Sequence, residues 1–189
     1  MICLYGSSSV RSNSFYQWSL LIIPFLYYTI ELKKSVKVNR NIEDFEGIKF
    51  DIITMFHVLE HLPNQVDTIK LLLKHLKKTG ILIIEVPSAH DYLFKIKNLD
   101  SFKNFTMWSE HLILHTHNSL KKICIAAGAK KIKIDFFQRY NFSNHFGWIV
   151  DGLPGGHEKY MFDKKINSVY QSFLEKNKTS DTLIATIKK

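Results

Sequence analysis

His57, Glu60 and His61 fall within the stretch FDIITMFHVLEHLP (50–63), which spells H-x-x-E-H. Two imidazoles four residues apart lie on one helical face and can share a metal, with the glutamate between them placed to activate a water. That chemistry needs a helix running through both histidines. Here the motif starts where an apolar, β-rich run ends, and Pro63 follows two residues after His61, which drives Leu62 away from the α conformation. The protease arrangement also needs a further carboxylate on a downstream helix, whereas Glu85 falls in a predicted strand and Glu110 in a predicted loop. The spacing alone therefore does not make a zinc site, and no metal is expected.

The elements that must position these residues alternate from Phe50 onward between short apolar runs and amphipathic stretches, the pattern of a layered α/β sheet. FDIITMF reads as a strand covered on both faces. Pro63 opens a helix on which Val66, Ile69, Leu72, Leu73 and Leu76 recur at helical spacing, with Lys77, Lys78 and Gly80 as its stop. ILIIEVP (81–87) is the next strand. After an aromatic connection (88–114), Asn118 is the expected cap of a helix ending at Gly128, and KKIKIDFF (130–137) is a strand. Residues 138–160 show no periodicity and read as a loop, followed by a helix over 163–176 and a final strand, DTLIATIKK.

The formal charge of +9 comes almost wholly from lysine, since only Arg11, Arg40 and Arg139 carry guanidinium groups. The lysines are scattered in pairs and form no basic stripe interleaved with aromatics, which argues against a nucleic-acid surface. Cys3 and Cys124 are too few for a disulfide framework and point to a reducing, cytoplasmic setting. The apolar run WSLLIIPFLYYTI (18–30) has thirteen residues interrupted by Pro24, short of the roughly twenty needed to cross a bilayer, so a buried strand or core helix is expected rather than a membrane anchor.

FDIITMFHVLEHLPNQVDTIKLLLKHLKKTGILIIEVPS resembles the region from the fourth to the fifth strand of class I S-adenosylmethionine-dependent methyltransferases. NRNIEDFEG before it is similar to that family's acidic turn, and SEHLILHTHNSLKKICIAAGAKKIKI to its Glu-His-Leu element with the helix and strand that follow. The resemblance implies a Rossmann-like, mostly parallel sheet with S-adenosylmethionine as cofactor. It implies that Met55, Phe56 and His57 border the cofactor at a strand's carboxyl end and that Asn41 and Ile42 lie against the adenine. Glu60 and His61 either secure their loop by hydrogen bonds or take part in catalysis. Glu110, His111 and His115 come from the acceptor-side connection as candidates for a general base. The first two join His57 as the catalytic set, and His115 is an acceptor contact. For each of these the alternative is ordinary packing.

One departure from that family is large. It carries a glycine-rich turn after its first strand, and this chain holds no Gly-x-Gly; Gly6 alone precedes the matching region, with no strand expected to lead into it. Glu31 is a candidate ribose carboxylate. Residues 1–35 are accordingly read as an irregular or truncated segment, and 36–189 as a methyltransferase-like domain with an insertion at about 138–178. The expected function is methyl transfer to a small molecule or sugar, impaired by the missing glycine loop; the alternative is a non-catalytic interaction module. Tyr140, Asn144, His145 and Trp148 in the aromatic segment offer flat faces and hydrogen bonds for the acceptor. A homodimer is left open.

Overall fold

The computed structural model describes residues 2–6, 16–20, 36–39, 45 and 47–189. Seven strands make one sheet: β1 (Ile2–Gly6), β2 (Tyr16–Leu20), β3 (Val36–Asn39), β4 (Phe50–Phe56), β5 (Leu76–Pro87), β6 (Lys131–Phe137) and β7 (Thr182–Lys188), in the order β3-β2-β1-β4-β5-β7-β6. β2 and β3 pair in parallel, as do β4 and β5, while β7 runs antiparallel to both β5 and β6. β1 is antiparallel to both its neighbours, β2 and β4. Five of the seven strands therefore point the same way, as expected of a Rossmann-like sheet, with β1 and β7 reversed.

A strand does lead into Gly6, contrary to the sequence expectation. Its register pairs Ile2 with Met55 and Tyr5 with Ile52, so Gly6 stands at the amino edge of β4, opposite the end that carries His57. The antiparallel pairing alone imposes this placement. Of the apolar run 18–30, Trp18 to Leu20 belong to β2 and the rest lies outside the described residues. Among the described residues, no helix is long and apolar enough to cross a membrane.

β4 and β5 hold the centre of the core. Phe50, Ile53 and Met55 are fully buried, with Leu82, Ile84 and Val86 beside them. Helix α1 (Gln65–His75) covers them with Ile69, Leu72 and Leu73. It stops two residues earlier than the lysine pair suggests, and Leu76 opens β5 opposite Phe50. Lys77 then reaches Asp51 at 2.9 Å. Gly80 serves this close approach rather than a helix stop: a Cβ there would lie 2.8 Å from the Leu76 Cγ and 2.9 Å from the Phe50 carbonyl oxygen.

After β5 come a single turn of 3-10 helix (Tyr92–Lys95) and helix α2 (Asp100–Thr106), then α3 (His117–Ala126). The α3 cap is Thr116 rather than Asn118. Its hydroxyl accepts the Ser119 amide (3.1 Å) while the Ser119 hydroxyl accepts the Thr116 amide (2.9 Å), satisfying two amides at once where Asn118 could serve one. Leu120 and Cys124 turn into the core.

The segment read as a loop is helical. Asn141 caps α4 (Phe142–Asp151), α5 (Gly156–Lys159) is a single turn, and α6 (Lys164–Lys176) begins at its Asp163 cap. The reason for the discrepancy is physical: α4 buries Ser143, Asn144, His145, Gly147 and Trp148, a face mostly polar or small, so no apolar period marks it. α4 and α5 meet glycine to glycine, because a Cβ on Gly156 would fall 2.3 Å from the Ser143 carbonyl oxygen and 2.8 Å from the Gly147 Cα. A second, smaller core of Leu93, Leu99, Phe102 and Trp148 joins this helical layer to the connection after β5.

Candidate functional site

The strand order reverses between β1 and β4, and open α/β sheets bind their ligands outside the carboxyl ends of their strands, here the end of β4. His57 is the first residue past that end. Its φ of 50° puts a non-glycine residue in the left-handed region, a conformation that persists only when surroundings hold it. They do so here: its amide donates to the Glu85 carbonyl at 3.0 Å, and its Nε2 lies 2.9 Å from the Glu85 carboxylate. Arg139, from the end of β6, reaches the same carboxylate oxygen at 3.0 Å and also touches His57 Nε2. Its guanidinium lies 5.8 Å from the centre of the exposed Tyr140 ring. Glu85 carried a signal in the sequence, as a lone charge in an apolar strand; Arg139 carried only its rarity.

Glu60 and His61 sit on a single 3-10 turn (Leu59–His61). The Glu60 carbonyl accepts the amides of Leu112 (2.9 Å) and Ile113 (3.4 Å), which folds the acceptor-side connection onto that turn. The docking brings His111 to His61, ring centres 4.8 Å apart, and both rings are anchored by Nδ1: His61 donates to the Glu110 carbonyl (2.8 Å) and His111 to the Thr106 carbonyl (2.6 Å). The Glu110 side chain is exposed. His115 is buried, with Nδ1 3.3 Å from the Ser119 hydroxyl and no partner for Nε2 among the described residues. Burial lowers its pKa and the charge of Glu60 works the other way.

Of the residues named for the cofactor, Phe56 and His57 are half-buried at the carboxyl end of β4, Met55 is sealed in the core, and Asn41, Ile42 and Glu31 lie outside the described residues. The acceptor candidates divide. His115 lies with the Glu60 cluster and Tyr140 stands in the open beside Arg139, whereas Asn144, His145 and Trp148 turn inward.

His145 belongs to a buried polar network that sequence reasoning missed. Its Nδ1 meets the Tyr170 hydroxyl at 2.8 Å and its Nε2 meets the Gln138 amide nitrogen at 3.2 Å. Asp181 accepts from the Gln138 side chain (2.6 Å), the amides of Arg139 and Tyr140 (both 2.9 Å) and the Thr182 hydroxyl (2.7 Å), and so fixes the backbone from which Arg139 reaches Glu85. Burial raises the Asp181 pKa against those hydrogen bonds. Burial also lifts Asp91 to about 7, with the Leu93 amide opposing and Asp181 adding to the shift. Burial lowers His145 to about 4.

The two titrations oppose each other. Asp91 is protonated in the folded chain between about pH 4 and 7 and ionised when unfolded, so its contribution is fully present at low pH and lost as pH rises through that window. His145 is neutral in the folded chain and charged when unfolded between about pH 4 and 6.5, so its contribution is lost as pH falls. Asp91→Asn keeps the oxygen that accepts the Leu93 amide at 2.8 Å and removes the ionisation. Its advantage over wild type in urea melts is expected to grow from pH 4 to 7 and level off at a few kcal/mol. An advantage independent of pH would show that Asp91 is not held protonated.

A methyltransferase-domain family model matches residues 7–134, well over half of the chain. A SAM-dependent methyltransferase from Archaeoglobus fulgidus superposes with a TM-score of 0.54 at 19% identity, over 91% of this chain and 75% of that one. A second, from Thermotoga maritima, gives 0.51 at 14% identity over 82% of this chain and 64% of that one. No protein of curated function matches the chain. The family match, over well more than half of the chain, places this chain in the methyltransferase-domain family.

Proposed function

We propose that this chain transfers a methyl group from S-adenosylmethionine to a small-molecule or sugar acceptor at the sheet edge beyond β4. The observation that carries the reading is the convergence of Glu85, Arg139 and a conformationally constrained His57 at that edge, beside the docked 106–115 connection. When bound, the cofactor supplies an electrophilic methyl group. Phe56 and His57 would form one wall of its site, while the glycine turn that lets backbone approach such a ligand is not supplied by Gly6, which stands at the opposite edge. The protein's task is to hold the acceptor in line and to take its proton. Glu110 is assigned as proton acceptor, because its carboxylate is exposed while both nitrogens of His57 lie near protein groups and His111 is held by Thr106 through Nδ1 within the cluster of Glu60 and His61.

The reversal of β1 favours a second reading, an interaction module that keeps the sheet without cofactor chemistry. Thermal melts with S-adenosylmethionine and its demethylated product separate the two. A ligand at a hundred times its dissociation constant stabilises by about 2.7 kcal/mol, so a concentration-dependent rise in melting temperature is expected. A folded chain whose melting temperature ignores both ligands would leave the module reading standing and end the enzymatic one.

A further inference from the structure

The Glu60 side chain is only 1% exposed, yet neither of its carboxylate oxygens has a hydrogen-bond partner among the described residues. A buried carboxylate with no donor is costly unless a cation meets it. The groups around it are histidines. His57 Nδ1 lies 3.5 Å and His61 Nε2 3.8 Å from one oxygen, and single ligand atoms of Glu60, His61 and His111 all fall within 4.8 Å of one another.

The tautomers are set by the backbone. A carbonyl only accepts, so the Nδ1 atoms of His61 and His111 are the ones that donate, to Glu110 and Thr106 respectively. In neutral rings that leaves Nε2 of each as a lone pair. Two acceptor nitrogens and an acceptor-only carboxylate thus share one cluster with nothing to bind them together. A histidine fixed through its other nitrogen by a backbone carbonyl is the usual support for a metal ligand.

We propose that Glu60, His61 and His111 bind a divalent first-row transition-metal ion through one carboxylate oxygen and the two Nε2 atoms. Nitrogen donors favour zinc, cobalt or nickel over magnesium or calcium. Ligand atoms on a tetrahedral zinc ion stand about 3.3 Å apart, so the cluster must close by about 1.5 Å at its widest, within reach of small rotations of two half-buried rings. Their exposed sides leave the remaining coordination positions to water. The pair spelled by the sequence, His57 with His61, is not the one assembled: His57 Nε2 is engaged by Glu85, and the third ligand arrives from the far connection on the Leu112 and Ile113 amides.

The test uses the full chain, stripped with a chelator and titrated with zinc chloride by calorimetry, with cobalt chloride as a spectroscopic probe. Zinc is expected to bind one to one, and cobalt to give the visible absorption of a nitrogen- and oxygen-ligated ion. His61→Ala and His111→Ala should each weaken zinc binding about tenfold or more, while His157→Ala, at an exposed histidine outside the cluster, leaves it unchanged. Circular dichroism reports folding, and the near-isosteric Glu60→Gln gives the same readout if a histidine variant fails to fold. A folded wild-type chain that takes up no zinc, or binding that survives in both histidine variants, overturns the proposal. No arm involves the methyl donor, so this outcome is independent of the methyl-transfer reading.

Discussion

Trp148→Ala is expected to cost about 3–5 kcal/mol, the usual range for deleting a buried large aromatic. Trp148 is 4% exposed and packs edge-on against Phe102 at 5.3 Å and tilted against Phe105 at 5.1 Å, in the small core completed by Leu93 and Leu99. That core is what ties α4 to α2 and to the 3-10 turn after β5, so the cavity would open between elements that have few other contacts. For a chain of this size the loss corresponds to a fall in melting temperature on the order of 10 °C. Tyr140→Ala is the control, since its ring is 49% exposed, and it should change stability by no more than about 0.5 kcal/mol. Matching small effects at both positions would mean that Trp148 is a surface residue available to an acceptor, as its sequence context suggests.

Asp181→Ala is expected to be comparably severe, and Asp181→Asn nearly as severe. The alanine leaves the part-buried amides of Arg139 and Tyr140 without their acceptor and the Gln138 nitrogen with the Tyr140 carbonyl in place of two acceptors, at up to about 1–3 kcal/mol for each donor stranded. Asparagine restores only half of the arrangement. Oδ1 of Asp181 takes the Arg139 amide and the Thr182 hydroxyl, while Oδ2 takes the Tyr140 amide and the Gln138 nitrogen, so an NH2 group meets two N–H donors at Oδ2 and the Arg139 N–H at Oδ1. Chemical denaturation of the two variants checks this. Full rescue by asparagine would show that the site needs shape and one acceptor rather than a carboxylate. Because Arg139 leaves this backbone to reach Glu85, the loss should also free His57 from one of its contacts at the end of β4.

Much of the fold was legible because its signals are local. β4, α1, β5, α3, β6, α6 and β7 fall in the expected order, since an apolar β-rich run and a 3.6-residue period are properties of neighbouring residues. α4 was not legible, because its buried face is Ser143, Asn144, His145 and Gly147, residues that normally mark a loop. What lets them enter the interior is tertiary pairing, Tyr170 from α6 and Gln138 from the end of β6 for His145 and a glycine on α5 for Gly147, which neither propensity nor periodicity records. The direction of β1 was hidden for the same reason: strand pairing is settled by hydrogen bonds to Thr54 and Ile53, about fifty residues away.

The site divides along the same line. The sequence by itself determined that His57 would stand at the carboxyl end of a central strand and that the 106–115 connection would supply histidines, because a β-rich run must end before a turn and Pro63 closes the one after it. Only the tertiary structure decided which of those histidines meet. Glu60 lies three residues from His57 and next to His61 in the chain, yet its cluster is completed by His111, carried there by two amides donating to one carbonyl. His57 turned instead to Glu85 and Arg139, residues on two other strand ends. A motif records which groups are close along the backbone; the balance of burial and hydrogen bonding across the sheet edge selects which of them share a site.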